Sequence, residues 1–226
     1  MVRPGFLAVA TLSLAGFASH VHAQAINIDF GADSGTPDAD YAADGMMGFW
    51  NSVTNVISPT PLMDIDGNIT AASFGLDPTG IVFESTTDQT TVGNDAALLQ
   101  DFIRNVDGIM ITVSFAGLEP GEYEVLTYTT GPASTPTMSW VFTNGILGDN
   151  VMDVQGVFPD DLEMEKTHAM HTVIVGADGL LDVTVKGEDT SFINGIQLIP
   201  TPIPLTSTLG IGVATLLAPS RRRRLH

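Results

Sequence analysis

The chain of 226 residues contains no cysteine. It therefore has no disulfide framework, no thiolate zinc site, no iron–sulfur cluster and no thiol nucleophile. Basic residues are also scarce, because 8 Lys and Arg stand against 26 Asp and Glu, and the formal net charge is −18. A surface of that sign repels the phosphate backbone, which excludes nucleic acid as a partner.

Charged residues are few as well. They make up 15% of the chain, whereas an average globular protein has about 25%. Glycine and proline, with 23 and 13 copies, are frequent instead. Both residues interrupt helices, so this composition disfavours helical bundles and coiled coils and favours β structure rich in turns.

The N-terminus is typical of a secretory signal peptide. Arg3 precedes a mostly apolar stretch from Phe6 to Phe17, and Val21 and Ala23 stand where signal peptidase requires small residues. The apolar run is too short to cross a bilayer of about 30 Å at about 1.5 Å per residue. We therefore expect residues 1–23 to direct export, with cleavage between Ala23 and Gln24.

The C-terminal residues, 200–226, consist of three parts in order. A motif containing Pro202 and Pro204 comes first, and the 14-residue apolar stretch Leu205 to Ala218 follows. As a helix this stretch would reach roughly 21 Å, which is short for a membrane span. The chain then carries a basic cluster, which would stay on the cytoplasmic side. The cluster consists of Arg221, Arg222, Arg223 and Arg224.

This order of parts resembles the PEP-CTERM sorting signal of Gram-negative and planctomycete-type bacteria. The resemblance implies a hydrophobic sorting helix that contacts the inner membrane transiently. An exosortase-like membrane enzyme would remove it and release the protein to the cell surface or extracellular matrix. The family's central glutamate is absent here, since Thr201-Pro202-Ile203-Pro204 stands in place of Pro-Glu-Pro. An ordinary C-terminal membrane anchor is the alternative.

The residues between these two segments, 24–199, are expected to form a single domain. All 26 acidic residues lie between Asp29 and Asp189, together with only three basic residues, so the body carries a net charge of −23. Such a surface keeps the protein soluble, repels anionic polymers and attracts divalent cations.

The pattern of this body predicts an all-β fold. One helix is predicted from Ala96 to Arg104, capped by Asn94 or Asp95, because its apolar residues recur at helical spacing. The turns Gly117–Gly121 and Asp178–Gly179 are each expected to join an antiparallel pair. Apolar and polar residues alternate in the predicted strands, which are Ile26–Phe30, Ile69–Phe74, Ile81–Glu84, Ile109–Phe115, Tyr123–Tyr128, Met138–Phe142, Val151–Val154, His168–Val175, Leu180–Lys186 and Phe192–Ile199. Because strands and helices do not alternate, we expect an antiparallel β-sandwich or jelly roll.

Three motifs strengthen this expectation. They are Ile26-Asn27-Ile28-Asp29-Phe30-Gly31, Gly117-Leu118-Glu119-Pro120-Gly121-Glu122-Tyr123-Glu124-Val125 and Phe192-Ile193-Asn194-Gly195-Ile196-Gln197-Leu198. In this order they resemble the galactose-binding-like sandwiches of malectin-type and carbohydrate-binding modules. Each motif marks a strand or turn of the fold, so the resemblance implies the architecture and does not identify a ligand.

A sugar site needs an exposed aromatic ring with polar groups beside it, because a pyranose has an apolar face and a rim of hydroxyls. Two groups of residues contain both an aromatic ring and polar groups. One is Trp50 with Asn51 and Tyr41, and the other is Trp140 with Tyr128. In the alternative interpretation, both tryptophans are core residues.

Metal binding is expected only as a structural calcium ion, near the first strand and the loop after it. Asp29 and Asp33 supply hard oxygen ligands there. The segment Asp64–Asn68 does not keep the EF-hand register and is interpreted as a turn. His168 and His171 fall on a strand, where a spacing of three places them on opposite faces, so they are not expected to share a metal.

Catalysis is not expected. The chain lacks the Gly-x-Ser-x-Gly elbow of serine hydrolases, and with 26 acidic residues carboxylate pairs arise by coincidence. We therefore expect an exported, non-catalytic protein that binds a polysaccharide or other glycan. The alternatives are a structural matrix or surface protein without a dedicated ligand, and a polysaccharide-active hydrolase or lyase.

Overall fold

The computed structural model describes residues 24–31, 33–54, 60–77, 79–87, 91–106, 110–131, 137–145, 147, 151–156 and 162–201. The predicted signal segment up to Ala23 and the sorting segment from Pro202 to the C-terminus lie outside the described residues. Among the helices of the described part, none is long and apolar enough to span a membrane.

The described part contains fourteen strands and one helix. In chain order they are β1 (Ile26–Phe30), β2 (Trp50–Val53), β3 (Thr60–Met63), β4 (Ile69–Leu76), β5 (Ile81–Ser85), α1 (Gly93–Leu99), β6 (Asp101–Asn105), β7 (Met110–Ala116), β8 (Gly121–Tyr128), β9 (Thr137–Thr143), β10 (Val151–Gly156), β11 (His168–Val175), β12 (Leu181–Gly187), β13 (Phe192–Ile193) and β14 (Gly195–Pro200).

The strands form two large sheets and one small one. The five-stranded sheet has the order β11-β8-β14-β1-β2, and the six-stranded sheet has the order β10-β9-β12-β7-β4-β3. Strands β13, β6 and β5 form the small sheet. Within these sheets β1 and β2 pair in parallel, and the other described pairs are antiparallel. The predicted all-β sandwich is confirmed.

The core lies between the two large sheets, because alternate residues of each strand point inward. From the five-stranded sheet, Ile26, Ile28 and Phe30 of β1 are buried there. From the six-stranded sheet, Val113 and Phe115 of β7 belong to the same cluster. The predicted inward faces of β1 and β7 are therefore confirmed for these residues.

The predicted helix Ala96–Arg104 is wrong in its second half. The helix ends at Leu99, and Asp101–Asn105 forms strand β6 between β5 and β13. Ile103 lies in the main core, whereas the neighbouring Phe102 packs edge-on against Phe192 with ring centroids 5.1 Å apart. The apolar residues of 96–104 have helical spacing, but β6 pairs with a strand on each of its two edges. This long-range pairing overrides the local preference for a helix.

The two predicted hairpins are also wrong, because each turn passes from one sheet to the other. Strand β7 belongs to the six-stranded sheet and β8 to the five-stranded sheet, and β11 and β12 are divided in the same way. The two turns lie side by side, where the Leu118 N–H donates to the Gly179 carbonyl at 3.1 Å. Leu118 is buried between them. Both turns therefore form a corner of the sandwich.

The three motifs noted in the sequence come together in the middle of the five-stranded sheet. Strand β14 pairs with β1 on one side, where Ile196 faces Ile28, and with β8 on the other, where Leu198 faces Val125. The three motifs, which lie far apart in the sequence, therefore occupy adjacent strands of one sheet.

The corner at Gly117 gives a test of this topology. Gly117 has φ +74°, and a Cβ there would lie 2.3 Å from the Ala71 carbonyl oxygen, whereas Gly67 has φ +80° and open space around it. Both glycine-to-alanine changes incur the cost of a left-handed backbone, about 1 kcal/mol. We expect Gly117→Ala to lower the free energy of unfolding by about 1–3 kcal/mol more than Gly67→Ala, because it alone adds a backbone clash. Urea unfolding measures both, and equal losses would contradict the packed corner.

Candidate functional site

The outer face of the five-stranded sheet is covered, around Trp50 and Tyr128, by residues 41–46 and by helix α1. Trp50 and Tyr128 project from this face and are buried in a second apolar cluster with Leu98 and Leu99 of the helix. Tyr41 packs against the same cluster. Trp50 and Tyr128 are therefore closed to a large ligand, whereas Met170 and Ile174 on the same face of β11 are 38% and 50% exposed.

A buried amide network holds the cover in place. The Gln197 side-chain nitrogen lies 2.9 Å from Asn27 Oδ1, 3.2 Å from the Ala42 carbonyl and 3.1 Å from the Met46 carbonyl. The Tyr128 hydroxyl donates to Gln197 Oε1 at 2.6 Å. Since Asn27 and Gln197 are fully buried, losing one partner would leave the others unsatisfied, which is costly in a low-dielectric interior.

A contact between His168 and Asp44 fixes the cover at its other side. His168 Nε2 lies 2.9 Å from Asp44 Oδ2, and the His168 ring stands 5.3 Å from the Tyr128 ring. Burial lowers the pKa of His168, and the neighbouring Asp44 carboxylate opposes that shift. The Asp44 N–H also donates to the Tyr128 hydroxyl at 3.1 Å.

The structure brings Trp50, Asn51 and Tyr41 close together but buries the tryptophan. Only 3% of Trp50 is exposed. Its indole nitrogen donates to the Tyr41 carbonyl at 3.2 Å, and the two rings are 6.1 Å apart. The Asn51 amide donates to the Asn27 and Met63 carbonyls. For Trp50 the core interpretation is therefore the correct one, and this group forms no exposed platform.

Trp140 and Tyr128 lie on different sheets, so the second predicted group does not exist. Tyr128 belongs to the covered face of the five-stranded sheet. Trp140 lies on β9 beside Ser139 and Val141, which are buried on the core side. By strand alternation Trp140 points to the outer face of the six-stranded sheet, where it is half-buried.

Four residues form a row across that outer face. In the strand register Trp140 stands between Asp153 of β10 and Lys186 of β12, and Lys186 faces Met110 of β7. Residues opposite each other in such pairs are about 4.5–5.5 Å apart. Lys186 Nζ lies 5.7 Å from the Trp140 ring centroid, a cation–π arrangement.

The next row continues the same mixture of apolar and polar groups. It contains Val151, Phe142, Thr184 and Thr112 in register, and the two threonine hydroxyls are 2.9 Å apart. We call these two rows the Trp140 face. Met110 and Val151, at 54% and 43% exposed, leave apolar surface open to solvent.

The sequence pattern indicates Trp140 but not its partners in the Trp140 face. The alternation of Met138, Trp140 and Phe142 already placed these three on one side of a strand. Asp153 and Lys186 join them only because β10 and β12 flank β9. No local pattern encodes that pairing.

Asp29 is a second chemically unusual position. Its side chain is fully buried on β1, and neither carboxylate oxygen has a hydrogen-bond partner within the described residues. Burial, aided by the charge of Asp101, raises the pKa of Asp29 to about 9. Burial also raises the pKa of Asp101, although the Ser34 N–H donates to its Oδ2 at 2.8 Å.

These two carboxyl groups suit a hard cation. Asp101 Oδ1 is also buried and unpartnered in the described part of the chain. Calcium takes 6–8 oxygen ligands, and carbonyl groups commonly supply several of them. Asp33, predicted as a ligand, is exposed and accepts a hydrogen bond from Ser85 at 3.3 Å. Among the residues described, the side chains of His, Asp and Glu form no cluster of three or more that could hold a metal, so backbone oxygens would have to complete this site.

The structure places His168 and His171 on opposite faces of β11, as predicted. His168 lies under the cover of the five-stranded sheet, whereas His171 shares the core-facing side with Ala169 and Val173.

No protein-family model matches the chain, and no curated protein matches it. Solved structures match weakly. A Bacteroides uniformis β-glucuronidase is 14% identical with a TM-score of 0.47, and the match covers 78% of this chain and 18% of that one. The ANXUR2 extracellular domain from Arabidopsis thaliana is 13% identical with a TM-score of 0.45, covering 79% and 42%. TmCBM61 in complex with β-1,4-galactotriose is 13% identical with a TM-score of 0.34, covering 57% and 88%. The chain thus spans less than half of the first two proteins.

The raised pKa of Asp29 predicts a pH dependence of stability. Between pH 7 and 9 the folded protein keeps a proton on Asp29 that the unfolded chain has lost, because the pKa is about 9 in the folded state. We therefore expect the free energy of unfolding to fall by about 1 kcal/mol per pH unit over this window in the presence of a chelator. Both buried histidines have lowered pKa values in the folded state, so they are neutral there throughout this window. In the unfolded chain, with a pKa of about 6.5, they keep a minor protonated fraction near pH 7, which makes the slope shallower at that end.

The control is Asp29→Asn, which cannot ionise. Its free energy of unfolding should be nearly independent of pH between 7 and 9, as measured by urea titration at each pH. Parallel slopes for the variant and the wild type would show that Asp29 is ionised in the folded protein.

Proposed function

We propose that this protein is an exported, non-catalytic carbohydrate-binding module that binds a polysaccharide through the Trp140 face. The observation that carries the proposal is the position of Trp140. It lies on the outer side of the six-stranded sheet, between an acidic and a basic side chain and next to exposed apolar surface.

The chemistry of the Trp140 face matches that of a sugar. The indole ring offers a surface on which the apolar side of a pyranose can stack. Asp153 accepts hydrogen bonds from hydroxyls, Lys186 donates them, and Thr184 does both. A groove or face that combines an aromatic ring with a few placed polar groups is the usual composition of a small-ligand site.

The net negative charge of the protein body limits which polysaccharides it can bind. The body from Asp29 to Asp189 carries a net charge of −23, which repels polyanions such as polyuronates. The ligand that fits best is an uncharged polysaccharide.

The location follows from the two terminal segments. Residues 1–23 direct export through the inner membrane, and an exosortase-like enzyme removes the segment from residue 200 onward. The mature protein is then delivered to the cell surface or extracellular matrix, or it stays anchored in the membrane if the segment is retained. Polysaccharides are present at the cell surface and in the extracellular matrix, so a protein delivered there would encounter this class of ligand.

A structural calcium ion is the second part of the proposal. Asp29 and Asp101 would hold it, and the ion would supply the positive charge that their buried oxygens lack. In this arrangement Asp33 is not a ligand of the calcium ion. The ion would stabilise the junction between β1 and β6 and would take no part in sugar binding.

Trp140→Ala tests the glycan site. We expect the purified full chain to bind at least one neutral polysaccharide on a glycan array, and Trp140→Ala to weaken that binding by about tenfold or more, because stacking is lost. Ile174→Ala is the matched control, since Ile174 is 50% exposed on a strand of the other sheet. Affinity electrophoresis of both variants gives the measurement.

Other outcomes would favour the rival functions. Release of reducing ends from a bound polysaccharide would indicate a hydrolase or lyase. Absence of binding to every glycan, with both variants behaving alike, would favour a structural matrix protein.

Calcium should stabilise the protein. At pH 8, calcium at 100 times its dissociation constant should add about 2.7 kcal/mol to the free energy of unfolding. Asp29→Asn should abolish this effect, whereas Asp40→Asn, which changes an exposed aspartate, should preserve it. Thermal unfolding with calcium or with chelator measures the difference. Equal stabilisation of both variants would contradict a site at Asp29.

A further inference from the structure

The turn between β3 and β4 carries a motif that neither proposed site uses. Asn68-Ile69-Thr70 has the form Asn-x-Ser/Thr, which is the acceptor sequence for N-linked glycosylation of exported proteins. None of the other asparagines of the chain is followed by Ser or Thr at this spacing. Because so short a motif also arises by chance, its structural context decides whether it can be used.

The turn projects into solvent. Asp66, Gly67 and Asn68 are exposed, and Ile69 is 75% exposed. Apart from its chain neighbours, no heavy atom lies within 4 Å of the position that a Cβ would take at Gly67. There is therefore room beside Asn68 for a bulky attached group.

The side-chain amide of Asn68 is not needed to close the turn. The Asp64 N–H donates to the Asn68 carbonyl at 2.9 Å, and the Asn68 N–H donates to Asp64 Oδ1 at 2.8 Å. Asn68 Nδ2 makes longer contacts, at 3.3 Å to each oxygen of the same carboxylate. An amide nitrogen that carries a sugar keeps one of its two hydrogens, so it can still donate to Asp64. The folded turn therefore tolerates a modified Asn68.

Thr70 restricts when the motif can be recognised. In the folded protein Thr70 is half-buried, and its hydroxyl donates to the Leu62 carbonyl at 2.7 Å and accepts from the Ala72 N–H at 3.0 Å. An enzyme that recognises this hydroxyl must reach it before β3 and β4 pair. Transfer of a glycan is thus confined to the chain that has not yet folded.

We propose that Asn68 is the acceptor of an N-linked oligosaccharide, which is donated by a polyprenyl-pyrophosphate-linked oligosaccharide. Asn68 Nδ2 forms a bond to C1 of the first sugar, and the bond between C1 and the pyrophosphate oxygen breaks. The polyprenyl pyrophosphate leaves with that electron pair, and the amide releases one proton to the solvent. The transfer needs no oxidant or reductant.

A glycan on this turn lies beside apolar surface and an open strand edge. Ile69 faces Met63 in the register of β3 and β4. Phe49 is 38% exposed, and its N–H donates to the Ile65 carbonyl in the same turn at 2.7 Å. Strand β3 is an edge of the six-stranded sheet, and uncovered edges tend to pair with other chains. The hydrophilic glycan shields this apolar surface and obstructs pairing at β3.

The modification does not depend on carbohydrate binding by the Trp140 face. Strands β12 and β7 separate β9, which carries Trp140, from β4. A glycan at Asn68 therefore leaves the Trp140 face open. The inference does rest on the proposed export, because this acceptor motif is used in exported chains.

Mass spectrometry of the protein isolated from the cells that produce it tests the modification. We expect the peptide that contains Asn68 to carry the mass of an oligosaccharide, with fragmentation placing it on this residue. A chain that begins at Gln24 and has an unmodified Asn68 overturns the proposal. Retention of residues 1–23 contradicts the proposed export instead, and the cell-free reaction then decides whether Asn68 is an acceptor.

The cell-free reaction tests the acceptor without requiring export. The purified full chain is diluted from urea into a detergent solution of a bacterial oligosaccharyltransferase and its polyprenyl-pyrophosphate-linked oligosaccharide. We expect one glycan per chain, and its loss in Asn68→Gln and in Thr70→Val. Because the acceptor is the unfolded chain, a folding defect in these variants does not affect the result.

Two matched variants serve as controls. Thr70→Ser keeps the hydroxyl and should keep the glycan. Asn144→Gln changes an exposed asparagine that has no Ser or Thr two positions later, and it should also keep the glycan. Absence of transfer to the wild-type chain overturns the proposal, and so does equal transfer to Asn68→Gln.

Discussion

The hydrogen bonds of Gln197 hold together the part of the molecule on which the rest depends. One buried amide joins β14 to β1 through Asn27, to the covering segment through the carbonyls of Ala42 and Met46, and to β8 through Tyr128. Because Asn27, Tyr128 and Gln197 are fully buried, the Gln197 amide is fully satisfied only when the cover is in place. The network therefore closes one face of the sandwich.

That closure determines where a ligand can bind. Trp50, one of the two tryptophans predicted as a sugar platform, packs against the cover instead. Among the described residues no such cover lies over Trp140, which is half-buried, and the outer face of the six-stranded sheet keeps exposed apolar groups beside charged ones. Asp29 is also buried on this sheet, and its carboxylate has no hydrogen-bond partner within the described residues, which is the reason for expecting a cation there.

Two buried carboxyl groups interact electrostatically between β1 and the small sheet, those of Asp29 and Asp101. The backbone of Asp29 pairs with Gly195 on one side and Ser52 on the other, yet within the described residues its carboxylate oxygens have no hydrogen-bond partner. A sheet ladder satisfies only backbone N–H and C=O groups, so a buried side chain on an interior strand still needs a partner of its own.

The sequence by itself determined the strand faces, since the alternation in Ile26–Phe30 and in the strand around Val113 is a property of consecutive residues. It also marked the turns, because Gly117 and Gly179 require positive φ. Only the tertiary structure decided which strands pair, that Asp101 belongs to a strand rather than a helix, and that Lys186 and Asp153 stand beside Trp140. The physical reason is that pairing and burial are set by contacts between residues far apart in the chain, which compete with local preference and often override it.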